Sequence, residues 1–165
     1  MYKILIVSRV DAKKLKWILR FIANLRNYQS VICDVDFHLT IAWKIYDNVK
    51  KEVKEIEAYS SNFFTINFVW EIENEKIKKW YGNYDMFAWM WRALLEAITY
   101  EIPCILLGYD WPICNVNDEN FDKISYSNFS GRLIWRSDIT LYNNKKIKIK
   151  WIEKYKIKNL KNYYY

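Results

Sequence analysis

Apolar residues recur along this chain in two alternating registers, short solid runs and stripes three or four residues apart, and that alternation predicts its elements. The run KILIV at residues 3–7 reads as a buried first strand. Asp11 stands where a helix N-cap belongs, and Leu15, Ile18, Leu19, Ile22 and Leu25 then mark the inner stripe of a helix of about four turns. VICDV, Val31 to Val35, reads as the second strand. A long helical stripe through Ile41, Ile45, Val49, Val53 and Ile56 follows, with the charged run KKEVKEIE on its solvated side. FFTINFVW, Phe63 to Trp70, reads as a third strand, and Glu73 to Tyr81 as a short helix with Gly82 at its C′ position. From Asp85 the chain gives a strand to Trp91, a helix from Arg92 to Tyr100 with Leu94, Leu95 and Ile98 on one face, and a strand from Pro103 to Tyr109. Beyond Pro112 the pattern weakens. Asn115 to Asn120 and Ser127 to Gly131 read as polar loops, Arg132 to Arg136 and Ile139 to Tyr142 as short strands, and Ile147 to Trp151 as either strand or helix.

Strands alternating with helices through five units predict an open, doubly wound, Rossmann-like parallel sheet. A chain of 165 residues suits one such domain. We expect it to occupy residues 1–144, with a distinct segment at 145–165. Aromatic content of 19% with only three Gly and two Pro excludes a disordered or low-complexity chain. The sequence holds no apolar run long enough to span a bilayer, and MYKILIVSRVDAKK lacks a signal-peptide cleavage pattern, so a cytoplasmic location is expected. Cys33, Cys104 and Cys114 lack the spacing of a zinc site or redox pair and read as buried small apolar residues. The lone His38 reads as a loop or capping residue, and no metal or other cofactor is expected.

Charge changes the picture at the C-terminus. Residues 145–165 hold eight of the 26 basic residues and one of the 19 acidic ones, so this segment carries the whole net charge of +7. Lysines interleaved with Trp and Tyr suit either the stacking and phosphate neutralisation of nucleic-acid binding or a peripheral seat on an anionic membrane. A solvated helix or edge strand would look the same.

In a doubly wound sheet, ligands lie beyond the carboxyl ends of the strands. The first strand delivers Ser8 and Arg9 there, and Lys13 and Lys14 stand on the first turn of the next helix. Cations are unfavourable at a helix N-terminus, whose dipole is already positive, unless an anion joins them. A phosphate or diphosphate would supply it. The alternative is that the lysines are solvated and Arg9 pairs with Asp11 or Asp36.

The segments SRVDAKKLKWILRFIANL and YDMFAWMWRALLEAITYEIPCIL together resemble the C-terminal, donor-binding half of GT-B glycosyltransferases of the GT4 type. The resemblance covers roughly residues 3–110. It implies that Arg9 and Lys14 bind the diphosphate of a nucleotide sugar and act in catalysis by stabilising that leaving group. It also implies that Glu96, in LLEA, binds the ribose hydroxyls, that Trp70 frames the base, and that Ser8 lies in the same site. The implied function is sugar transfer, of hexosyltransferase type, from a nucleotide diphosphate sugar to an acceptor, without a bound metal. A homodimer or a separate acceptor-domain partner would complete the cleft. Three positions depart from the family pattern: Ala88 stands where a first Glu is expected, WMWR replaces a Gly-rich loop, and Glu101 replaces a Gly. The KILIV opening is also that of response regulators, but FFTINFVW lacks their phosphoacceptor Asp. The alternative function is a noncatalytic α/β binding protein whose basic tail binds nucleic acid or an anionic membrane.

Because the net charge lies in one segment, deleting Lys145 to Tyr165 should abolish association with anionic vesicles or nucleic acid while sparing nucleotide binding. Cosedimentation and gel shift across a salt series check this. Unchanged binding with unchanged salt dependence would show that the contact lies elsewhere.

Overall fold

The computed structural model describes residues 1–31, 35–108 and 113–130. Strand β1, Tyr2–Val10, extends past the KILIV run at both ends, and Ile4 to Ser8 are buried without a break. Burial on both faces is what a central parallel strand requires. One residue, Asp11, links it to helix α1, Ala12–Val31. Asp11 caps that helix, its Oδ1 accepting the Lys14 N–H at 2.9 Å. The inner stripe of α1 is Leu15, Trp17, Ile18, Phe21, Ile22 and Leu25. Leu19, expected on that stripe, is 42% exposed, because Phe21 fills the position between Ile18 and Leu25. Gln29 fastens the last turn of α1 to the sheet, donating to the carbonyls of Val35 and Phe63 at 2.8 Å each.

The second strand differs from the sequence expectation. Val31 ends α1, and β2 is Phe37–Ile45, so Ile41 and Ile45 lie in a strand and not on a helix. A spacing of four serves both geometries, since it is one helical turn and also an even number of strand residues. The core decides between them. FHLTIAWKI is rich in β-branched and aromatic residues, and Leu39 to Ala42 are all buried, which one face of a surface helix would not produce. The helical stripe shrinks to a 3-10 turn, Asp47–Val49, and α2, Lys50–Ala58, which bury Val49, Val53 and Ile56. His38 is accordingly a strand residue, in register between Lys3 and Thr65.

The chain continues through β3, Phe64–Val69, α3, Asn74–Trp80, and a 3-10 turn, Tyr81–Asn83, that contains Gly82. Gly82 is not left-handed, so it is not the helix-ending C′ residue expected. Then come β4, Met86–Trp89, α4, Trp91–Thr99, and β5, Cys104–Leu107, the strand, helix and strand unit expected there. Glu101, after α4, takes the left-handed backbone (φ 58°) that a glycine adopts without penalty. Two elements lie where polar loop was expected or no element was read. They are β6, Ile113–Asn115, and α5, Phe121–Tyr126, which buries Phe121 and Ile124. Between them Asn117 and Asn120 close a turn through their side chains. The strands expected in 132–142, the segment 147–151, the basic tail and Cys33 lie outside the described residues.

The six strands lie in the order β3-β2-β1-β4-β5-β6, parallel throughout except for β6. β1 and β2 pair along nine residues, from Tyr2 opposite Phe37 to Val10 opposite Ile45. Asp85 ties β4 to β1 at the other side, its carboxylate accepting the Lys3 N–H and its own N–H donating to the Lys3 carbonyl, both at 2.9 Å. Right-handed crossovers place α1 and α2 on one face and α3 and α4 on the other. The result is a mostly parallel α/β fold, Rossmann-like, whose strand order reverses between β1 and β4. Cys104 and Cys114 are buried, and burial pushes the Cys104 thiol well above its usual range.

Asp11→Ala should destabilise the fold by about 1 kcal/mol at neutral pH through loss of the cap. Burial raises the Asp11 carboxyl pKa, but the Lys14 N–H and ammonium together outweigh it and hold the group below the ordinary value of 3.8. A depressed folded pKa means that the contribution is complete above that value and lost as pH falls through the lower, folded one. Urea unfolding of both proteins should therefore show a constant gap from pH 7 to 5 and a narrowing gap below about pH 4. A gap that persists unchanged at pH 2 would show that the carboxylate is not the capping group.

Candidate functional site

The crevice beyond β1 and β4 is where an open sheet of this order holds its ligands. Ser8 turns inward, 2% exposed, with its hydroxyl donating to the Arg9 carbonyl at 3.0 Å. Arg9 is exposed, and its guanidinium carbon lies 5.6 Å from the centre of the Trp43 ring. Such a cation–π contact contributes about 0.5–1 kcal/mol at an exposed site. Arg9 forms no ion pair among the described residues, so neither Asp11 nor Asp36 neutralises it. Asp11 is instead paired with Lys14, Nζ to Oδ2 at 3.2 Å, with the two side chains 22% and 39% exposed in the order Lys14, Asp11. The anion at the start of α1 is thus the protein's own. A half-exposed pair of this kind is worth less than about 1 kcal/mol, so Lys14 can leave it at small cost. Lys13 lies over the Trp17 ring at 5.8 Å.

Beside Arg9, a cavity of about 430 Å³ opens between α3 and α4. Val7 and Trp43 form its floor. Glu75, Ile77 and Lys78 line the α3 side, and Arg92, Ala93 and Glu96 the α4 side. The volume suits a small metabolite or nucleotide. Its charges are arranged in pairs along each helix, Lys78 with Glu75 at 2.7 Å and Arg92 with Glu96 at 3.1 Å. Glu96 is thus in the i, i+4 pair that its spacing allows, and the same side chain faces the cavity. Its charge also reaches inward. The Tyr81 hydroxyl, buried with no hydrogen-bond partner among the described residues, has its pKa pushed well up, first by burial and then by Glu96.

Backbone strain concentrates at this edge. Trp43 has φ 130° and Trp91 has φ 56°, conformations that cost a residue with a side chain of order 1–3 kcal/mol. At Trp91 the structure shows what holds it. The Trp91 N–H donates to the Phe129 carbonyl at 2.8 Å, and its indole meets Trp17 edge-on at 6.4 Å, with Trp89 6.3 Å from Trp17 on the other side. WMWR therefore fills the start of α4 with indoles where a Gly-rich loop would leave backbone amides open. At Trp43 the kink redirects the side chain. In register Trp43 is beside Ser8, yet its indole meets Arg9 and shares a wall with Val7, residues on the opposite side of β1.

Of the residues expected in a site, Arg9 and Glu96 come to one edge of the sheet, joined through Trp43 and the cavity wall. Ser8 lies beneath them, its hydroxyl bonded to the neighbouring carbonyl. Lys14 is turned to Asp11. Trp70 is not part of the cavity wall and stands over Lys50, whose Nζ is 5.7 Å from its ring. Trp43, Glu75 and Lys78 were missed. Trp43 would have been found had FHLTIAWKI been read as a strand, since it then lies near a carboxyl end. Among the described residues no group of three or more His, Cys, Asp or Glu side chains is placed to hold a metal, and no helix is long and apolar enough to cross a membrane.

No protein-family model matches this chain, and no curated protein matches its sequence.

Proposed function

We propose that the carboxyl edge of the sheet binds a nucleotide diphosphate sugar, and that the domain is the donor-binding part of a glycosyltransferase of hexosyl-transferring type. The observation that carries this reading is Arg9, an exposed guanidinium without a carboxylate partner among the described residues, placed where the strand order reverses. An arginine fork matches two phosphate oxygens at once. In the transfer, the bond between the anomeric carbon and the diphosphate oxygen breaks as a bond to the acceptor oxygen forms, and the acceptor hydroxyl's proton passes to the departing diphosphate or to water. Negative charge then grows on the diphosphate, and Arg9, with Lys14 released from Asp11, stabilises it. Glu96 accepts hydrogen bonds from the ribose hydroxyls within the cavity. A second copy of the chain or a separate acceptor-binding partner supplies the other wall of the cleft. The noncatalytic reading rests on the basic segment 145–165, and the deletion described above tests it.

Arg9→Ala should weaken nucleoside diphosphate binding by about 1.5–3 kcal/mol and leave nucleoside binding nearly unchanged. Calorimetric titration of both ligands checks this, and equal losses would contradict the phosphate role. Glu96→Gln should change folding stability by no more than about 0.5 kcal/mol, the worth of an i, i+4 pair whose Arg92 is largely exposed. It should nonetheless weaken ribonucleotide binding measurably, with the 2′-deoxy analogue losing less. No change for either ligand would leave Glu96 as a surface pair only.

A further inference from the structure

We infer that Trp43 carries the base of the nucleotide and so determines which nucleotide is accepted, an inference that rests on the function proposed above. Three observations lead to it. First, Trp43 is, among the described residues, the aromatic one on the wall of the cavity that also contains Glu96. An indole offers a stacking face to any base. Second, the guanidinium of Arg9 lies over the Trp43 ring at 5.6 Å, so the group that would meet the diphosphate and the ring that would meet the base already touch. A guanidinium that swings from the ring to a phosphate uncovers an aromatic face as it does so. Binding of the diphosphate end and binding of the base are therefore coupled through one side chain.

Third, Trp43 holds a backbone angle of φ 130°. At Trp91 a comparable strain is matched by a hydrogen bond and by an edge-on contact with Trp17. The Trp43 indole is likewise partly buried against the core, and among the described residues the Arg9 guanidinium lies over its ring. Residues held in sparsely populated backbone conformations cluster at ligand sites. Trp70, the residue the family resemblance assigns to the base, stands over Lys50 and outside the cavity wall.

The test is calorimetric titration of the wild type and of Trp43→Leu, Trp43→Phe and Trp70→Leu with inorganic pyrophosphate and with the four common ribonucleoside diphosphates. Trp43→Leu should weaken the best-bound nucleoside diphosphate about tenfold, the scale of one lost base-stacking contact, without weakening pyrophosphate. Trp43→Phe should recover most of the loss, and Trp70→Leu should behave as wild type. In the wild type, the indole N–H resonance missing from the Trp43→Phe spectrum should shift with the nucleoside diphosphate well beyond its shift with pyrophosphate, a readout that survives if Trp43→Leu does not fold. Equal loss for both ligands, no loss for either, or a loss that follows Trp70 in place of Trp43 would overturn the inference while leaving the proposed function intact. If no nucleoside diphosphate binds the wild type, the proposed function fails and the inference with it.

Discussion

Strand β1 is hydrogen-bonded on both edges and covered on both faces, and every other part of the fold takes its position from that. Ile4, Leu5 and Ile6 have no exposed surface. A strand this enclosed cannot slip by one residue without sending a new set of side chains to each face, so its register with β2 and β4 is strongly fixed. It also carries Val7 and Arg9 to the edge where the strand order reverses. Val7 and Arg9, two residues apart, share a face of β1: Val7 lies in the cavity floor, and Arg9, nearer the strand end, reaches water and Trp43.

The edge is unusual in using indoles where backbone amides would be expected. Trp17, Trp89 and Trp91 fill the space between the ends of β1 and β4, and the carbonyl of Phe129 takes the first free N–H of α4. Asp11 occupies the start of α1 in the same way. Each helix start nearest the switch thus has an N–H bonded from within the chain. The open chemistry is displaced sideways, to the cavity between α3 and α4. A ligand bound there, as proposed, would meet the side chains of Arg9, Trp43 and Glu96 and not the backbone cradle of a Gly-rich loop.

Much of this order was legible in the sequence because solid apolar runs and capped stripes leave little choice. The unit from Met86 to Leu107 and the start of α1 at Asp11 follow from patterns that only one geometry satisfies. The failure at β2 has an equally physical cause. Ile41 and Ile45 fit a helix and a strand alike, and only the burial of the residues between them, a tertiary fact, distinguishes the two. Misplacing that strand concealed Trp43, because a residue in the middle of an expected helix is not sought at a sheet edge. Lys14 illustrates a different limit. Its position three residues after Asp11 permits both a cap partner and a phosphate ligand, and in the structure the Asp11 carboxylate takes it. Glu101 shows that a departure from a glycine pattern need not alter the backbone, since it adopts φ 58° regardless.

Hydrogen–deuterium exchange, read peptide by peptide with and without saturating nucleoside diphosphate, tests most directly whether the carboxyl edge is the binding site. Slower exchange is expected in the end of β1, in α3 from Asn74 to Trp80, and in the first turns of α4 from Trp91 to Glu96, with no change at the opposite edge near Tyr59 and Phe63. Protection confined to that opposite edge, or to the segment 145–165, would contradict the account.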